Sequence, residues 1–470
     1  MEQPSISQAI LFRSTAEVVA LIEQGADVNE KDVYGLTPLI ESVLKENLKI
    51  AALLLEHGAR IDQHDISGQT ALQWAVNRQV IAFVEFLLKQ GADPNHYSAD
   101  GQSILVNPIL RNQKDFMELL VSFGADLSFA LDFINAKLIG HRYELIGRAM
   151  ILNPQKRFID LSFEGFYLEF TVGLIAGTLI HFVNSDAGKN FNAFATVLSK
   201  IIRTLKAAAT IVPYKYTVEG PSIHDKFIRE VLTQDLVVIP VSYEGHAITF
   251  IKYGKLLAKC DRGVKHIVDT VIIYEIGNPN TANPDFFKDL MYNNKSNTYI
   301  NEEVKKILDL KPLATLPARY QLSGNCSWAN VEASVPAMMF MLMFKGNNES
   351  RGEIAALKKS IMNYYDTWIE WDKDRILKTE LDAFSNESRE KRIAKASILA
   401  AVLFQRCKTF HPKEVDRAKK ILAILTLPEY EYILKTYVKV YYTRMAGKTG
   451  EDFIALLKTC GVDIKNLIEP

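Results

Sequence analysis

The sequence has few cysteines, no excess of either charge and no long apolar run. Its 470 residues include only four cysteines, and these lack the paired spacing that is typical of a zinc site. The 55 basic and 55 acidic residues cancel, so no overall electric field favours direct binding of nucleic acid or of an anionic membrane. The longest apolar runs, at residues 171–180 and 337–344, are shorter than the roughly 20 residues that a membrane-spanning helix needs.

Signals for secretion and for phosphate binding are also missing. The first residues contain no basic stretch followed by an apolar run, so we predict no classical signal peptide. The pair Gly188-Lys189 lacks the upstream glycine and the following Ser or Thr of a phosphate-binding loop. We therefore predict that the protein uses no cofactor and no metal. The scattered cysteines indicate a reducing environment for the folded protein.

What the sequence does contain is a repeat. A Gly-Ala phrase recurs at 33-residue intervals, beginning at Gly25, Gly58, Gly91 and Gly124. Each copy follows an apolar helical stretch, and copies two to four have a second helix upstream. A period of 33 residues is that of the ankyrin repeat, in which stacked units share one core. Copy four lacks its closing glycine, so we expect the array to end near residues 131–142.

The entry sequences of the repeats resemble the ankyrin family. Gly35-Leu36-Thr37-Pro38-Leu39 and Gly68-Gln69-Thr70-Ala71-Leu72 match the turn and the start of the first helix. The resemblance implies a solenoid that binds a partner protein through its hairpin tips and inner helices. The tip residues mix charged and apolar groups, as a protein-binding rim does, although ordinary solvated loops remain an alternative for any one tip. The predicted partner-binding residues are Lys31, Tyr34, His64, Ile66 and Tyr97.

Beyond the repeats the pattern changes to mixed helix and strand. Short runs rich in branched residues, separated by glycine or charged turns, predict an antiparallel sheet. These runs are residues 236–241, 247–251, 256–258 and 268–276. A helix at 192–208 precedes them, and the segment after residue 345 has a helical apolar periodicity. The predicted domains are four ankyrin repeats at 1–135, an α+β domain at 136–345 and a helical cap at 346–470.

Two of the predicted strands bring a histidine and an aspartate together. A hairpin with Tyr253 and Gly254 at its turn pairs residues whose numbers sum to 507, so that His246 faces Asp261. Directly opposed side chains approach closely enough for a carboxylate to hold an imidazole by a hydrogen bond. The hairpin therefore predicts the base and the acid of a nucleophilic triad.

The nucleophile of that triad is predicted at Cys326. This cysteine lies in a turn that contains glycine, and the turn opens into the apolar helix at residues 328–344. A thiol at a helix N-terminus loses its proton more readily, because the helix dipole favours the thiolate. Gln321, five residues upstream, could point its amide at a developing oxyanion, beside the backbone N–H of Cys326.

These segments resemble the papain-type cysteine peptidases. Gly245-His246-Ala247-Ile248-Thr249-Phe250 is similar to their histidine strand, and Gln321 through Cys326-Ser327-Trp328 to their glutamine and nucleophile segment. The order of the motifs is inverted, as in the permuted branch that holds ubiquitin-like proteases and bacterial effector acyltransferases. The resemblance implies a papain-like fold with Cys326, His246, Asp261 and Gln321 as catalytic residues. The spacing from glutamine to cysteine is one residue shorter than usual, and Ala247 replaces the common aromatic.

The combination of ankyrin repeats, a cysteine-peptidase-like domain and a helical tail resembles ankyrin-repeat effectors of Legionella. That resemblance implies type IV secretion into a host cell, with a host cytoplasmic or nuclear protein bound by the repeats. Two functions follow from it. In the first, the central domain cleaves a peptide or transfers an acyl group through Cys326. In the second, the protein is a non-catalytic scaffold with a degenerate protease fold.

Overall fold

A computed structural model of the chain describes residues 5–165, 167–215, 220–263, 270–321, 324–346, 349–444, 448–464 and 467. The contacts within the chain divide it into two compact units. One unit comprises Met1–Ala136 and Arg148–Ser162, and the other comprises Lys137–Gly147 and Phe163–Pro470. The predicted division into three domains at residues 135 and 345 stays a prediction.

The first unit contains four helix pairs at the 33-residue period. They are α1 (Ile6–Phe12) with α2 (Thr15–Glu23), α3 (Pro38–Leu44) with α4 (Leu48–Glu56), α5 (Ala71–Asn77) with α6 (Ile81–Lys89), and α7 (Val106–Leu110) with α8 (Lys114–Ser122). The sequence predicted an upstream helix only in copies two to four. Helix α1 corrects this, since Ser5 caps a short helix in the first copy too.

Polar side chains couple each repeat to the next. The Asn29 side chain accepts a hydrogen bond from the backbone N–H of Arg60 at 2.8 Å. One repeat later, Asp62 accepts from the N–H of Asp93 at 3.0 Å, and Asn95 accepts in the same way from Asp126. Each repeat therefore satisfies backbone groups of its neighbour, in addition to sharing an apolar core with it.

The repeats are followed by a longer helix and a strand pair. Helix α9 runs over Leu127–Arg142, and the change from one compact unit to the other falls within it. Strands β1 (Arg148–Leu152) and β2 (Phe158–Ser162) pair antiparallel and group with the repeats. The sequence did not predict this pair.

The second unit is built around a five-stranded antiparallel sheet in the order β3-β4-β5-β6-β7. Its strands are β3 (Leu236–Tyr243), β4 (His246–Tyr253), β5 (Leu256–Cys260), β6 (Val271–Ile276) and β7 (Leu310–Leu316). The sequence predicted β3 to β6 but not β7, and residues 268–269 of the predicted fourth strand lie outside the described residues. Pro240 and Pro312 lie in the two edge strands, where the missing N–H breaks no ladder.

Helices cover the sheet and extend beyond it. They are α10 (Leu168–Val183), α11 (Asp186–Lys189), α12 (Ala195–Ile211), α13 (Gly220–Ile223), α14 (Asp225–Leu232), α15 (Pro284–Tyr292), α16 (Val304–Ile307), α17 (Cys326–Met343), α18 (Arg351–Phe384), α19 (Arg389–Arg406), α20 (Pro412–Leu425), α21 (Glu431–Arg444) and α22 (Lys448–Thr459). Helix α12 packs on β3, and α17 packs on β4 and β5. The predicted fold class is confirmed: ankyrin repeats, central helices with an antiparallel sheet, and a helical C-terminal region.

Helix α17 is buried over almost its whole length, and a buried ionic network holds it. Glu332 forms ion pairs with Arg142 and with Arg262, and it accepts a hydrogen bond from Trp328 Nε1 at 3.2 Å. Arg142 also pairs with Asp372 at 2.6 Å. A buried carboxylate is costly unless it is paired and hydrogen-bonded, and here several donors satisfy Glu332. The first turns of α17 are therefore fixed in one position.

The register of the β4–β5 hairpin corrects the prediction. The pairs run from Tyr253 with Leu256 to Thr249 with Cys260, so paired numbers sum to 509 rather than 507. The turn is Gly254-Lys255, and His246 is not directly opposite Asp261. Because side chains alternate with a period of two, a slip of two residues leaves both side chains on the predicted face.

Candidate active site

A tight turn sets the position of His246. Strands β3 and β4 are joined by Glu244 and Gly245, whose φ angles of 46° and 77° are both positive. Two positive φ angles are the mark of a type I′ turn, and this turn matches the twist of a hairpin. His246 pairs with Tyr243 as the first residue of β4, at the end of the sheet.

The imidazole of His246 is held by Asp261. His246 Nε2 lies 3.0 Å from Asp261 Oδ1, and the two side chains are 27% and 9% exposed. The hydrogen bond to Asp261 and a second one to Cys326 raise the pKa of His246 to about 9, against the effect of burial. Burial would raise the pKa of Asp261, but His246 and Lys259 lower it to about 2. Both shifts therefore favour an imidazolium beside a carboxylate at neutral pH.

The imidazole of His246 lies so close to Gly263 that a side chain at residue 263 would not fit. A Cβ atom on Gly263 would lie 2.7 Å from His246 Cε1, closer than real Cβ contacts allow. The backbone N–H of Gly263 also donates to Asp261 Oδ1 at 3.3 Å. A glycine is thus required here by the close approach of the ring, since its own backbone would accept any residue.

Three residues that the sequence analysis missed complete the surroundings of the His–Asp pair. Lys259 Nζ lies 3.2 Å from Asp261 Oδ2 and also donates to the side-chain oxygen of Asn301. Asn301 in turn contacts the hydroxyl of Tyr243, whose ring meets the imidazole of His246 edge-on at 5.5 Å between centroids. Lys259 shares the face of Asp261 by strand alternation, which is the one signal that could have revealed it.

Cys326 begins helix α17, as predicted, and its thiol interacts with the imidazole of His246. Burial raises the pKa of its thiol, but the bonds from His246 and from the backbone of Ala247 outweigh burial and lower the pKa below its ordinary value. The other three cysteines behave in the opposite way. Burial raises the pKa of Cys260, of Cys407 to about 12, and of Cys460. Cys326 is therefore the thiol best placed to ionise.

The three predicted triad residues thus lie together, since His246 is hydrogen-bonded to Asp261 and its imidazole interacts with the Cys326 thiol. His246 bonds Asp261 through Nε2, which leaves Nδ1 to exchange a proton with the sulfur of Cys326. A thiolate beside an imidazolium is a strong nucleophile next to a general acid. Within the described ranges, no three His, Cys, Asp or Glu side chains come together as metal ligands.

Two amide side chains that precede Cys326 in the sequence have buried atoms without a hydrogen-bond partner among the described residues. The Gln321 side-chain oxygen is buried without a partner among the described residues, while its backbone N–H donates to the carbonyl of Arg262 at 3.1 Å. Asn325 occupies the N-cap position of α17, yet its buried amide neither caps the helix nor bonds another described residue. Buried amides are normally satisfied, so these two side chains are exceptions among the described residues.

The predicted partner-binding residues occupy the repeat tips. Tyr34 and Ile66 are 68% and 78% exposed, and Lys31 donates to the carbonyl of the exposed His64 at 2.6 Å. Tyr97 differs, since it is half-buried and meets Phe129 edge-on. Val33, which is 92% exposed beside Tyr34, was not among the predicted residues. Large exposed apolar groups on neighbouring tips are typical of a binding rim.

The similarity of this chain to known proteins includes the ankyrin repeats and extends over nearly the whole chain. The family model of the ankyrin repeat matches residues 34–66 and 67–99. No curated protein matches the sequence. No helix among the described residues has the length and apolar character to cross a membrane.

A solved structure, that of the Legionella effector AnkH, is similar to this chain over nearly its full length. The two share 36% sequence identity, the match covers 98% of each chain, and the TM-score is 0.80. Identity at this level over the whole length is more than a shared fold. The chain belongs to the family of the Legionella effector AnkH.

Proposed function

We propose that the protein is a secreted effector that binds a host protein through its ankyrin repeats and carries a papain-like thiol site that acts on a peptide or an acyl substrate. The observation that carries the second part is the hydrogen bond between His246 and Asp261 beside the Cys326 thiol, whose pKa the imidazole lowers. The family membership supports the first part. Secretion by a type IV system and action in the host cytoplasm or nucleus belong to the same proposal.

In the proposed reaction the Cys326 thiolate attacks a carbonyl carbon of the substrate. His246 gives its proton to the leaving group as the carbon–heteroatom bond breaks, and an acyl-enzyme remains. Water then completes cleavage, or another nucleophile completes transfer, and His246 takes up the proton. Asp261 stays ionised and orients the imidazole. The backbone N–H of Cys326 and the Gln321 amide are assigned to the oxyanion.

The thiol chemistry is tested by labelling with an electrophilic probe. We expect rapid modification of Cys326 at neutral pH and a rate lowered by about tenfold or more in His246→Ala. Cys260, Cys407 and Cys460 are internal controls within the same molecule, since burial raises the pKa of each. Labelling of Cys326 no faster than of Cys460 would favour the alternative, a scaffold with a degenerate protease fold.

The binding role is tested on the apolar tips. The double variant Tyr34→Ala with Ile66→Ala removes two exposed apolar groups from neighbouring tips. Val121→Ala is the matched control, because Val121 is 45% exposed on α8, away from the tips. Quantitative pull-down from host lysate is expected to lose its specific proteins with the double variant and to keep them with the control. Equal capture by both would contradict binding through the tips.

A further inference from the structure

One buried amide on the helix that begins at Cys326 connects the chain neighbours of His246 and Asp261. Asn330 lies on α17, one turn after Cys326, and is fully buried. Its Nδ2 donates to the carbonyl of Ala247 at 2.6 Å, and its Oδ1 accepts from the backbone N–H of Arg262 at 2.7 Å. Ala247 follows His246 in the chain, and Arg262 follows Asp261. The two partners fix which way the amide points, because one is an acceptor and the other a donor.

The two hydrogen bonds of Asn330 lie just beyond the end of the β4–β5 ladder. The last pair of the β4–β5 ladder is Thr249 with Cys260, and two residues further on the register places Ala247 opposite Arg262. Hydrogen-bonded pairs recur every two residues in an antiparallel ladder. Here the Asn330 amide bonds the carbonyl of Ala247 and the N–H of Arg262, so a side chain continues the ladder where the strands separate.

We propose that Asn330 is the positioning residue of the site: its amide replaces the Ala247–Arg262 pair of the ladder and fixes the nucleophile helix against the strand ends that carry His246 and Asp261. The amide of Asn330 sets the distance between β4 and β5 at this point. It also sets the position of the Cys326 sulfur. This role rests on the proposed function, since it serves the reaction assigned to Cys326.

The experiment measures the ionisation of Cys326 without a substrate. The thiolate absorbance of the full-length protein is titrated against a Cys326→Ser blank, and the rate of alkylation at neutral pH is measured in parallel. Asn330→Ala removes both bonds, and Asn330→Asp keeps the shape and the acceptor while the ionised carboxylate cannot donate. Ser334→Ala is the matched control, because Ser334 is equally buried on α17 and bonds only the carbonyl of Val331 in its own helix.

We expect Asn330→Ala and Asn330→Asp to raise the pKa of Cys326 towards that of an ordinary thiol and to slow alkylation by about tenfold or more. Ser334→Ala is expected to leave both unchanged, even if it unfolds more easily. A wild-type pKa in Asn330→Asp, or an equal shift in Ser334→Ala, overturns the positioning role while the proposed function stands. An ordinary thiol pKa in the wild-type protein overturns the proposed function and this role with it.

Discussion

At the scale of single residues, the site depends on how closely the imidazole of His246 is surrounded. Asp261 is hydrogen-bonded to one ring nitrogen, and the Cys326 thiol interacts with the ring. The ring also lies so close to Gly263 that a side chain at residue 263 would not fit. The ring therefore has one position that serves both the acid and the thiol. Any group that displaces it weakens both bonds together.

The substitution Gly263→Ala tests this packing. The added Cβ would lie 2.7 Å from His246 Cε1, so the ring has to move. We expect alkylation of Cys326 to slow by about tenfold or more, since a shift of the base by a fraction of an ångström loosens proton transfer. Gly177→Ala is the control: its Cβ meets nothing within 4 Å on α10, and it is expected to stabilise the fold by about 0.5 kcal/mol. Equal alkylation rates in both variants would contradict the account.

Lys259 is expected to keep Asp261 ionised. Its ammonium lies 3.2 Å from Asp261 Oδ2 and helps to lower the pKa of that carboxyl to about 2. Lys259→Met removes the charge, so the Asp261 pKa should rise towards its ordinary value of 3.8. In carbon-13 spectra of the carboxyl groups, we expect the wild-type signal to stay constant down to about pH 3 and the variant signal to move above that pH.

The control for this titration is Lys255→Met. Lys255 is exposed in the turn between β4 and β5, and the charge is removed there without touching Asp261. The Asp261 signal is expected to titrate as in the wild type. If Lys259→Met also leaves it unchanged, Lys259 does not act on the acid.

At the scale of elements, the sequence predicted the strands and the helix of the site but not their exact pairing. Branched residues marked β3 to β6, and the apolar run after Cys326 marked α17. Strand β7 was missed because Lys311 and Pro312 interrupt its apolar pattern, as an edge strand allows. The register was wrong by two residues, yet strand alternation still placed His246 and Asp261 on one face.

The side chains that reach the site from distant segments could not be predicted. Lys259 contacts Asn301, 42 residues away, and Asn330 bonds Arg262, 68 residues away. No local pattern encodes such pairs, because they depend on the way α17 and the segment before β7 pack against the sheet. Only one such feature could be predicted from the sequence: Lys259 and Asp261 are two residues apart, so strand alternation places them on one face.

Helix α3 of the repeats carries a buried carboxyl that makes their stability depend on pH. Glu41 is fully buried, and burial raises its pKa from 4.5 to about 7. Between pH 4.5 and about pH 7, Glu41 is ionised in the unfolded chain but protonated in the folded chain. Stability therefore falls as the pH rises through this window and then stays level. We expect Glu41→Gln to remove that fall and to be more stable by about 2 to 3 kcal/mol at pH 8.

Urea denaturation at a series of pH values measures this effect. The matched control is Glu56→Gln, since Glu56 is exposed at the end of α4. Its stability difference from the wild type is expected to stay within about 0.5 kcal/mol at every pH. A difference between Glu41→Gln and the wild type that does not change with pH would show that Glu41 is ionised in the fold.

At the scale of the whole molecule, partner binding and thiol chemistry are proposed to lie in different parts of the chain. The exposed tips belong to Met1–Ala136, and the triad belongs to Phe163–Pro470. Substitutions in one part are therefore expected to spare the activity of the other. Cys326→Ser should capture the same host proteins as the wild type, and the variant with Tyr34→Ala and Ile66→Ala should be alkylated at the wild-type rate. Loss of both activities in either variant would contradict separate sites.

The proposed function requires that Cys326 and His246 form a thiolate and an imidazolium at neutral pH. Nitrogen-15 spectra of the histidine side chains at about pH 7.5 test it directly, because a neutral ring and a charged ring have different nitrogen shifts. We expect His246 to be protonated on both nitrogens there, with a pKa of about 9, and to become neutral at a lower pH in Cys326→Ser. A neutral His246 at that pH in the wild-type protein would contradict it.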